Sequence, residues 1–78
     1  MEYDKDRVDA MTLALMYLVM SETRNGGQAW KTFDVQTLKR LHEKGWIRDL
    51  KAKSATVEVT REGLEKAEEL FREHFQGI

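Results

Sequence analysis

The sequence predicts a single small α+β domain, in which helices at both ends of the chain flank a two-stranded hairpin. Its 78 residues suffice for one domain and no more. The first and last thirds repeat apolar residues at helical spacing, whereas Thr56 to Val59 alternates with the period of two that is typical of a strand. With 41% hydrophobic residues, the chain is also too apolar for a disordered protein.

The first predicted helix extends from about Asp4 to Ser21, with Asp4 or Asp6 as its N-terminal cap. One of its faces contains Val8, Met11, Leu15, Leu18 and Val19 at helical spacing. Its other side is apolar too, and a helix that is apolar all round is normally buried all round. Because so short a chain offers few elements to cover this helix, we expect a homodimer rather than a ligand pocket. The expected dimer interface consists of Leu13, Met16, Tyr17, Met20, Phe71 and Phe75.

The middle of the chain is predicted to contain two further helices. A flexible junction at residues 24–27, where the glycine pair favours a turn, is followed by a short helical turn at Gln28 to Lys31. Asp34 then caps a longer helix from Val35 to Lys44, which Gly45 ends in the left-handed conformation. The buried face of this helix is predicted to contain Val35, Leu38 and Leu41.

A hairpin and a last helix complete the predicted domain. The strands are Trp46 to Arg48 and Thr56 to Val59, joined by a polar tip at Asp49 to Ser54. Thr60 caps the last helix, whose apolar stripe contains Leu64, Ala67, Leu70, Phe71 and Phe75. Three aromatic residues lie beside element junctions, and we expect core packing for them rather than base stacking: Trp30, Phe33 and Trp46.

Two junctions of the chain resemble those of winged helix-turn-helix domains in bacterial regulators. Residues 38–47 (LKRLHEKGWI) are similar to a recognition helix that runs into a wing, and residues 57–67 (VEVTREGLEKA) to a wing strand that enters the next helix. The resemblance covers about residues 11–75. It implies one winged-helix domain over residues 1–78, with a long helix, a short helix, a recognition-type helix, a two-stranded wing and a C-terminal helix.

The whole chain also resembles a family of short bacterial proteins known only as a domain of unknown function. The opening Tyr3-Asp4-Lys5-Asp6 and the Ala29-Trp30-Lys31 segment carry this second resemblance. It implies no particular activity.

Charge is distributed unevenly along the chain. Residues 24–53 carry eight basic and three acidic side chains, a net charge of +5, although the whole chain has a net charge of −1. Lys and Arg neutralise phosphates, while Arg and Gln hydrogen-bond to base edges. The candidate DNA-contacting residues are therefore Lys31, Gln36, Thr37, Lys39, Arg40, Lys44, Arg48, Lys51 and Lys53. The alternative interpretation of this surface is a solvated helix face that keeps a small protein soluble.

The function predicted from these features is that of a small binding module, a winged-helix regulator that binds double-stranded DNA as a homodimer. The alternative is a protein-interaction module that binds no nucleic acid. Three features favour that alternative: the overall acidity, the short second helix, and more apolar surface than one core can cover.

Composition and motifs argue against several other classes of protein. The chain has no cysteine, and its histidines, His42 and His74, are separated by 32 residues, so we expect no metal site. No pair of catalytic groups has a motif spacing and no glycine-rich phosphate loop occurs, so we expect neither an enzyme nor a cofactor. The acidic N-terminus and a longest apolar run of eight residues favour a cytoplasmic protein without a membrane span.

Overall fold

In the computed structural model, which describes residues 1–48 and 55–77, the first and last helices pack against one face of an antiparallel sheet and the middle helix packs against the first. Within those residues there are three helices and three strands, so the predicted α+β class is confirmed. The elements in chain order are α1 (Lys5–Leu18), β1 (Ser21–Thr23), β2 (Gly26–Trp30), α2 (Val35–Glu43), β3 (Thr56–Thr60) and α3 (Arg61–Phe75).

Each helix begins at a side-chain cap that the sequence predicts. Asp4 accepts a hydrogen bond from the backbone N–H of Arg7 at 3.0 Å, which makes Asp4, rather than Asp6, the cap of α1. Asp34 caps α2 and Thr60 caps α3 in the same way. A cap satisfies a backbone donor that the helix itself leaves unpaired. Gly45, with φ of 80°, follows α2 as predicted.

The sheet has the order β1-β2-β3, and all its pairs are antiparallel. Val59 pairs with Gly27 on one side and forms an isolated bridge with Ile47 on the other. The predicted strand at Trp46 to Arg48 is therefore reduced to this bridge, although Arg48 N–H also donates to the Glu58 carbonyl at 2.9 Å. The predicted tip at Asp49 to Ser54 lies outside the described residues.

The prediction of a short helix at Gln28 to Lys31 is wrong, because Gln28, Ala29 and Trp30 belong to strand β2 and Lys31 directly follows it. Ala29 is buried while Gln28 and Trp30 are exposed, which is the alternation of a half-buried strand. Gly26 has φ of 149°, and a side chain there would collide with the Val59 carbonyl. A hairpin with β1 and a ladder with β3 satisfy the backbone groups of β2, and one helical turn would leave them unpaired.

The core lies between the three helices and the inner face of the sheet. Its buried apolar residues are Leu13, Ala14, Met16, Ala29, Leu38, Leu41, Ile47, Val57, Val59, Leu64, Ala67 and Leu70. Phe33 and Trp46 pack against this cluster as predicted. The same expectation is wrong for Trp30, which is 55% exposed, and Val35 is 61% exposed instead of buried. No helix in the described residues is long and apolar enough to cross a membrane.

Candidate interaction surfaces

One of the predicted DNA-contacting residues of α2 lies inside the protein. Thr37 is only 1% exposed, although the sequence places it at or near the outer face. Its hydroxyl donates to Asp34 Oδ2 at 3.0 Å and accepts from Arg40 Nη2 at 3.1 Å. A buried hydroxyl with both contacts made in this way cannot reach a base or a phosphate without unfolding the start of α2.

Arg40, a second predicted DNA contact, is turned toward α1. Its Nε lies 2.8 Å from Asp9 Oδ1 and 3.0 Å from Asp9 Oδ2. Asp9 is fully buried and the Arg40 side chain is 19% exposed. A buried carboxylate requires a paired cation. Arg40 therefore compensates this charge and is not available to an external anion.

Lys44, a third predicted contact, also faces α1. Its Nζ lies 2.9 Å from Asp9 Oδ2 and 2.9 Å from Asp6 Oδ1. Burial lowers the pKa of Lys44, but hydrogen bonds to Asp9 and Asp6 and their negative charges outweigh it, and the net effect raises the pKa. The hydrogen bond from Lys44, and then its charge, lower the pKa of Asp6. We call Asp6, Asp9, Thr37, Arg40 and Lys44 the Asp9 network.

The remaining predicted DNA contacts are distributed over several environments. Gln36 and Lys39 are exposed on the outer face of α2, whereas Lys31 is half-buried. Arg48 is exposed and forms an ion pair with Glu58 at 3.5 Å. Lys51 and Lys53 lie outside the described residues. The structure thus leaves Gln36 and Lys39 exposed on α2, whereas the side chains of Arg40 and Lys44 are turned toward Asp9 of α1.

The prediction that Leu13 and Met16 form a dimer interface is wrong. Both residues are 0% exposed in the single chain, because the core of this protomer already covers them. Tyr17, Met20 and Phe71 are half-buried, and the Tyr17 and Phe71 rings lie 5.5 Å apart between α1 and α3. Phe75, at the end of α3, is 42% exposed.

The exposed apolar surface of α1 is the opposite face of the helix. Leu15 is 46% exposed, Leu18 is 65% exposed and Val19 is 50% exposed, while Val8 and Met11 are half-buried. We call these five residues the outer stripe. The sequence identifies them as one face but not as the outward one. Asp9 identifies the inward face of α1. Because Asp9 binds both Arg40 and Lys44, the side of α1 that contains Asp9 lies against α2.

Surface clefts and titratable groups show no closed reaction site in the described part of the chain. One depression is an open cleft of about 310 Å³, lined by Tyr17, Met20, Glu22, Leu64 and Glu68. His42 Nδ1 lies 3.1 Å from the Ile47 carbonyl, and His74 lies beside Glu73. Among the described residues, no three His, Cys, Asp or Glu side chains are close enough together to hold a metal ion.

Similarity to known proteins gives a family but no activity. A family model described as "Domain of unknown function (DUF6429)" matches residues 4–77. The chain belongs to this family. It is 47% identical over 75 residues to the uncharacterised protein y4hR of Sinorhizobium fredii (strain NBRC 101917 / NGR234). The aligned residues cover 96% of this chain and 97% of that relative. No solved structure matches the chain.

Proposed function

We propose that this member of the DUF6429 family is a small protein-interaction module whose contact surface is the outer stripe of α1. The observation that carries the proposal is the exposure of Leu15 and Leu18 on one face of α1 and of Val19 at its C-terminal cap, each about half exposed or more. Soluble monomers rarely expose contiguous apolar patches larger than a few hundred Å², and such larger patches commonly mark interaction sites. Covering this face would remove apolar surface from water without disturbing the core.

The charges of the protein support a protein partner over a nucleic acid. Arg40 and Lys44 carry two of the positive charges of the basic segment, and both are neutralised by α1. Arg48 lies beside Glu58, which reduces its attraction for phosphate. Affinity for nucleic acid depends on cations that can release counterions from phosphates, and ion pairs within the fold lower their number.

The experiment is site-specific photo-crosslinking in the native host. A photo-reactive amino acid at position 18 is expected to give a discrete protein adduct, and the same group at the exposed position 65 on α3 is the control. Leu15→Glu should abolish the adduct from position 18, whereas Lys39→Glu should leave it unchanged. Equal labelling from positions 18 and 65, or an adduct that is insensitive to Leu15→Glu, would refute the outer stripe as a contact surface.

DNA binding through α2 is the second candidate function. It is favoured by the exposure of Gln36 and Lys39 on one face of α2, in a fold whose sequence resembles winged-helix regulators. The test is fluorescence anisotropy with a mixed duplex pool, in which several phosphate contacts would lose roughly a hundredfold in affinity between about 50 and 200 mM salt. Lys39→Glu should abolish this binding, and Arg72→Glu on α3 is the matched control. Arg40 is unsuitable as a probe, because its loss would leave Asp9 with Lys44 alone.

A further inference from the structure

We propose that Asn25 is a site of spontaneous modification, at which the chain converts this asparagine to isoaspartate through a cyclic imide. The site is separate from the outer stripe, so the inference does not depend on the proposed function. Three observations support it: the identity of the residue that follows Asn25, the position of both residues in an exposed turn, and one side chain that ties this turn to α3.

The reaction requires an asparagine whose following backbone nitrogen is accessible, and asparagine is among the thermolabile residues. The backbone nitrogen of Gly26 attacks Cγ of Asn25 and loses its proton, the Cγ–Nδ2 bond breaks, and ammonia leaves. Water then opens the imide at either of its carbonyl carbons. Opening at Cγ gives aspartate, whereas opening at the backbone carbonyl carbon gives isoaspartate, in which the main chain runs through the former side chain.

The fold itself requires a glycine after Asn25. Gly26 has φ of 149°, a conformation that favours glycine, and any side chain at this position would collide with the Val59 carbonyl. A side chain on the residue after an asparagine is a steric obstacle to closure of the imide ring. Because position 26 cannot carry a side chain, this obstacle is missing at Asn25.

The turn that contains Asn25 lies at the edge of the sheet. Arg24 and Asn25 connect β1 to β2, and both residues are exposed. Thr23 and Gly26 are the ladder partners that close this turn, so the nitrogen of Gly26 becomes available to Asn25 when the pair opens. Strand β1 is an edge strand of three residues, all of them exposed, and such elements open locally more readily than the core. The reaction therefore proceeds from an open hairpin in an otherwise folded protein.

One side chain ties this turn to the last helix. Arg61, the first residue of α3, donates a hydrogen bond from Nη2 to the Arg24 carbonyl at 3.0 Å. Opening of the turn breaks this bond, so Arg61 is a positioning residue that keeps the hairpin closed. A hydrogen bond of this kind changes an opening equilibrium by roughly two- to tenfold. Arg61 therefore controls how often the nitrogen of Gly26 is available.

The two products of the reaction have different consequences for the hairpin. Asn25 borders a depression of about 140 Å³ whose lining includes Arg24, Arg48 and Glu58. Because these guanidinium groups outnumber the carboxylate, one further negative charge is tolerated there, and the aspartate product is compatible with the turn. Isoaspartate instead lengthens the main chain of a short turn, and turn length determines the register of a hairpin. Isoaspartate therefore releases β1 from β2, whereas aspartate does not.

The test is incubation of the folded full chain at neutral pH and physiological temperature, followed by intact mass and by peptide mapping that separates isoaspartate from aspartate. Asn25 is the only asparagine of the sequence, and Gln76, which also precedes a glycine, is the internal control because its longer side chain closes an imide more slowly. The wild type is expected to accumulate isoaspartate at position 25 while Gln76 stays intact. The chain unfolded in urea gives the rate that the sequence alone produces. A folded chain that keeps Asn25 for as long as the unfolded chain takes to lose it overturns the proposal.

A pair of arginine variants tests the control by the turn. Arg61→Met is expected to accelerate the loss of Asn25 roughly two- to tenfold, because the hydrogen bond to the Arg24 carbonyl is lost. Arg72→Met removes an exposed cation from the same helix and is the matched control, for which the rate should not change. Circular dichroism verifies that both variants are folded. Equal rates in the wild type and Arg61→Met overturn the role of Arg61.

Hydrogen exchange tests the effect of the modification on the hairpin. The amides of Ser21 to Thr23 are expected to lose protection in the isoaspartate form, and the variant Asn25→Asp, which carries the same charge on an ordinary backbone, should keep it. Equal protection in the isoaspartate form and in Asn25→Asp overturns the release of β1.

Discussion

Helix α1 is held by two neighbours through contacts of opposite chemical character. Against α3 the contact is apolar, with the buried residues of the core and the Tyr17–Phe71 ring pair between the two helices. Against α2 the contact includes a fully buried carboxylate, Asp9, which binds both Arg40 and Lys44. The same helix thus combines a hydrophobic interface and an ionic one.

The difference shows how stability and orientation are divided between the two interfaces. Apolar burial is non-directional and roughly proportional to area, so the α1–α3 contact stabilises the fold without specifying one exact geometry. The Asp9 network is directional, because Nε and Nζ must both approach one carboxylate within hydrogen-bonding distance. The Asp9 network contributes less net free energy of folding than the apolar contact. It determines which face of α2 contacts α1, and therefore which cations stay exposed to solvent.

The largest expected effect separates the inner and outer faces of α1. Leu13→Ala removes a fully buried side chain and should lower the free energy of unfolding by about 3 kcal/mol. Leu15→Ala is the control at a position 46% exposed and should cost less than about 1 kcal/mol. Urea denaturation at low protein concentration measures both. Equal losses would show that the two faces do not differ in burial as described.

A smaller effect is expected from the ionic interface. Arg40→Met leaves the buried Asp9 with Lys44 as its only cation and should lower the free energy of unfolding by about 2 kcal/mol. Arg48→Met removes the exposed pair with Glu58 and should cost less than about 0.5 kcal/mol. If both variants unfold at the same urea concentration, the Asp9 network contributes nothing beyond an ordinary surface ion pair.

The smallest effect is a shift in titration at the edge of the Asp9 network. The pKa of Lys44 is raised above its ordinary value of 10.5, so its contribution to stability is present below pH 10.5 and is lost as the pH rises through the folded-state pKa. NMR titration of the Lys44 side chain measures this pKa. Asp6→Asn removes one of its two carboxylate partners and should move the pKa down. An unchanged pKa in that variant would show that Asp6 does not act on Lys44 in solution.

The contribution of Asp6 to stability depends on pH in the opposite direction to that of Lys44. Lys44 lowers the pKa of Asp6 below its ordinary value of 3.8, so this contribution to stability is present above pH 3.8 and is lost as the pH falls through the folded-state pKa. Lys44→Met should remove most of the shift in the pKa of the Asp6 carboxyl, leaving the smaller effect of the Arg40 charge, in the same NMR experiment. A carboxyl signal that titrates identically in the wild type and this variant would contradict the assignment.

Local features of the fold were predictable from the sequence. Asp34 and Thr60 cap helices, Gly45 follows α2 with positive φ, and β3 alternates between buried and exposed residues. Each of these depends on a few neighbouring residues, so the preference of the local backbone is sufficient to specify it. The α+β class follows from the same periodicities.

The tertiary structure decided what depends on residues distant in the chain. Gln28 to Trp30 is too short to show a period, and only pairing with β1 and β3 makes it part of a strand. Glycine has a low helix propensity, yet Gly63 is required at the start of α3 because a side chain there would collide with the Trp46 carbonyl. The sequence by itself thus determined the three helices with their caps, strand β3 and one face of α1 as an apolar stripe. Which face of α1 turns outward was decided by Asp9, because its cations come from a helix more than 30 residues further along the chain.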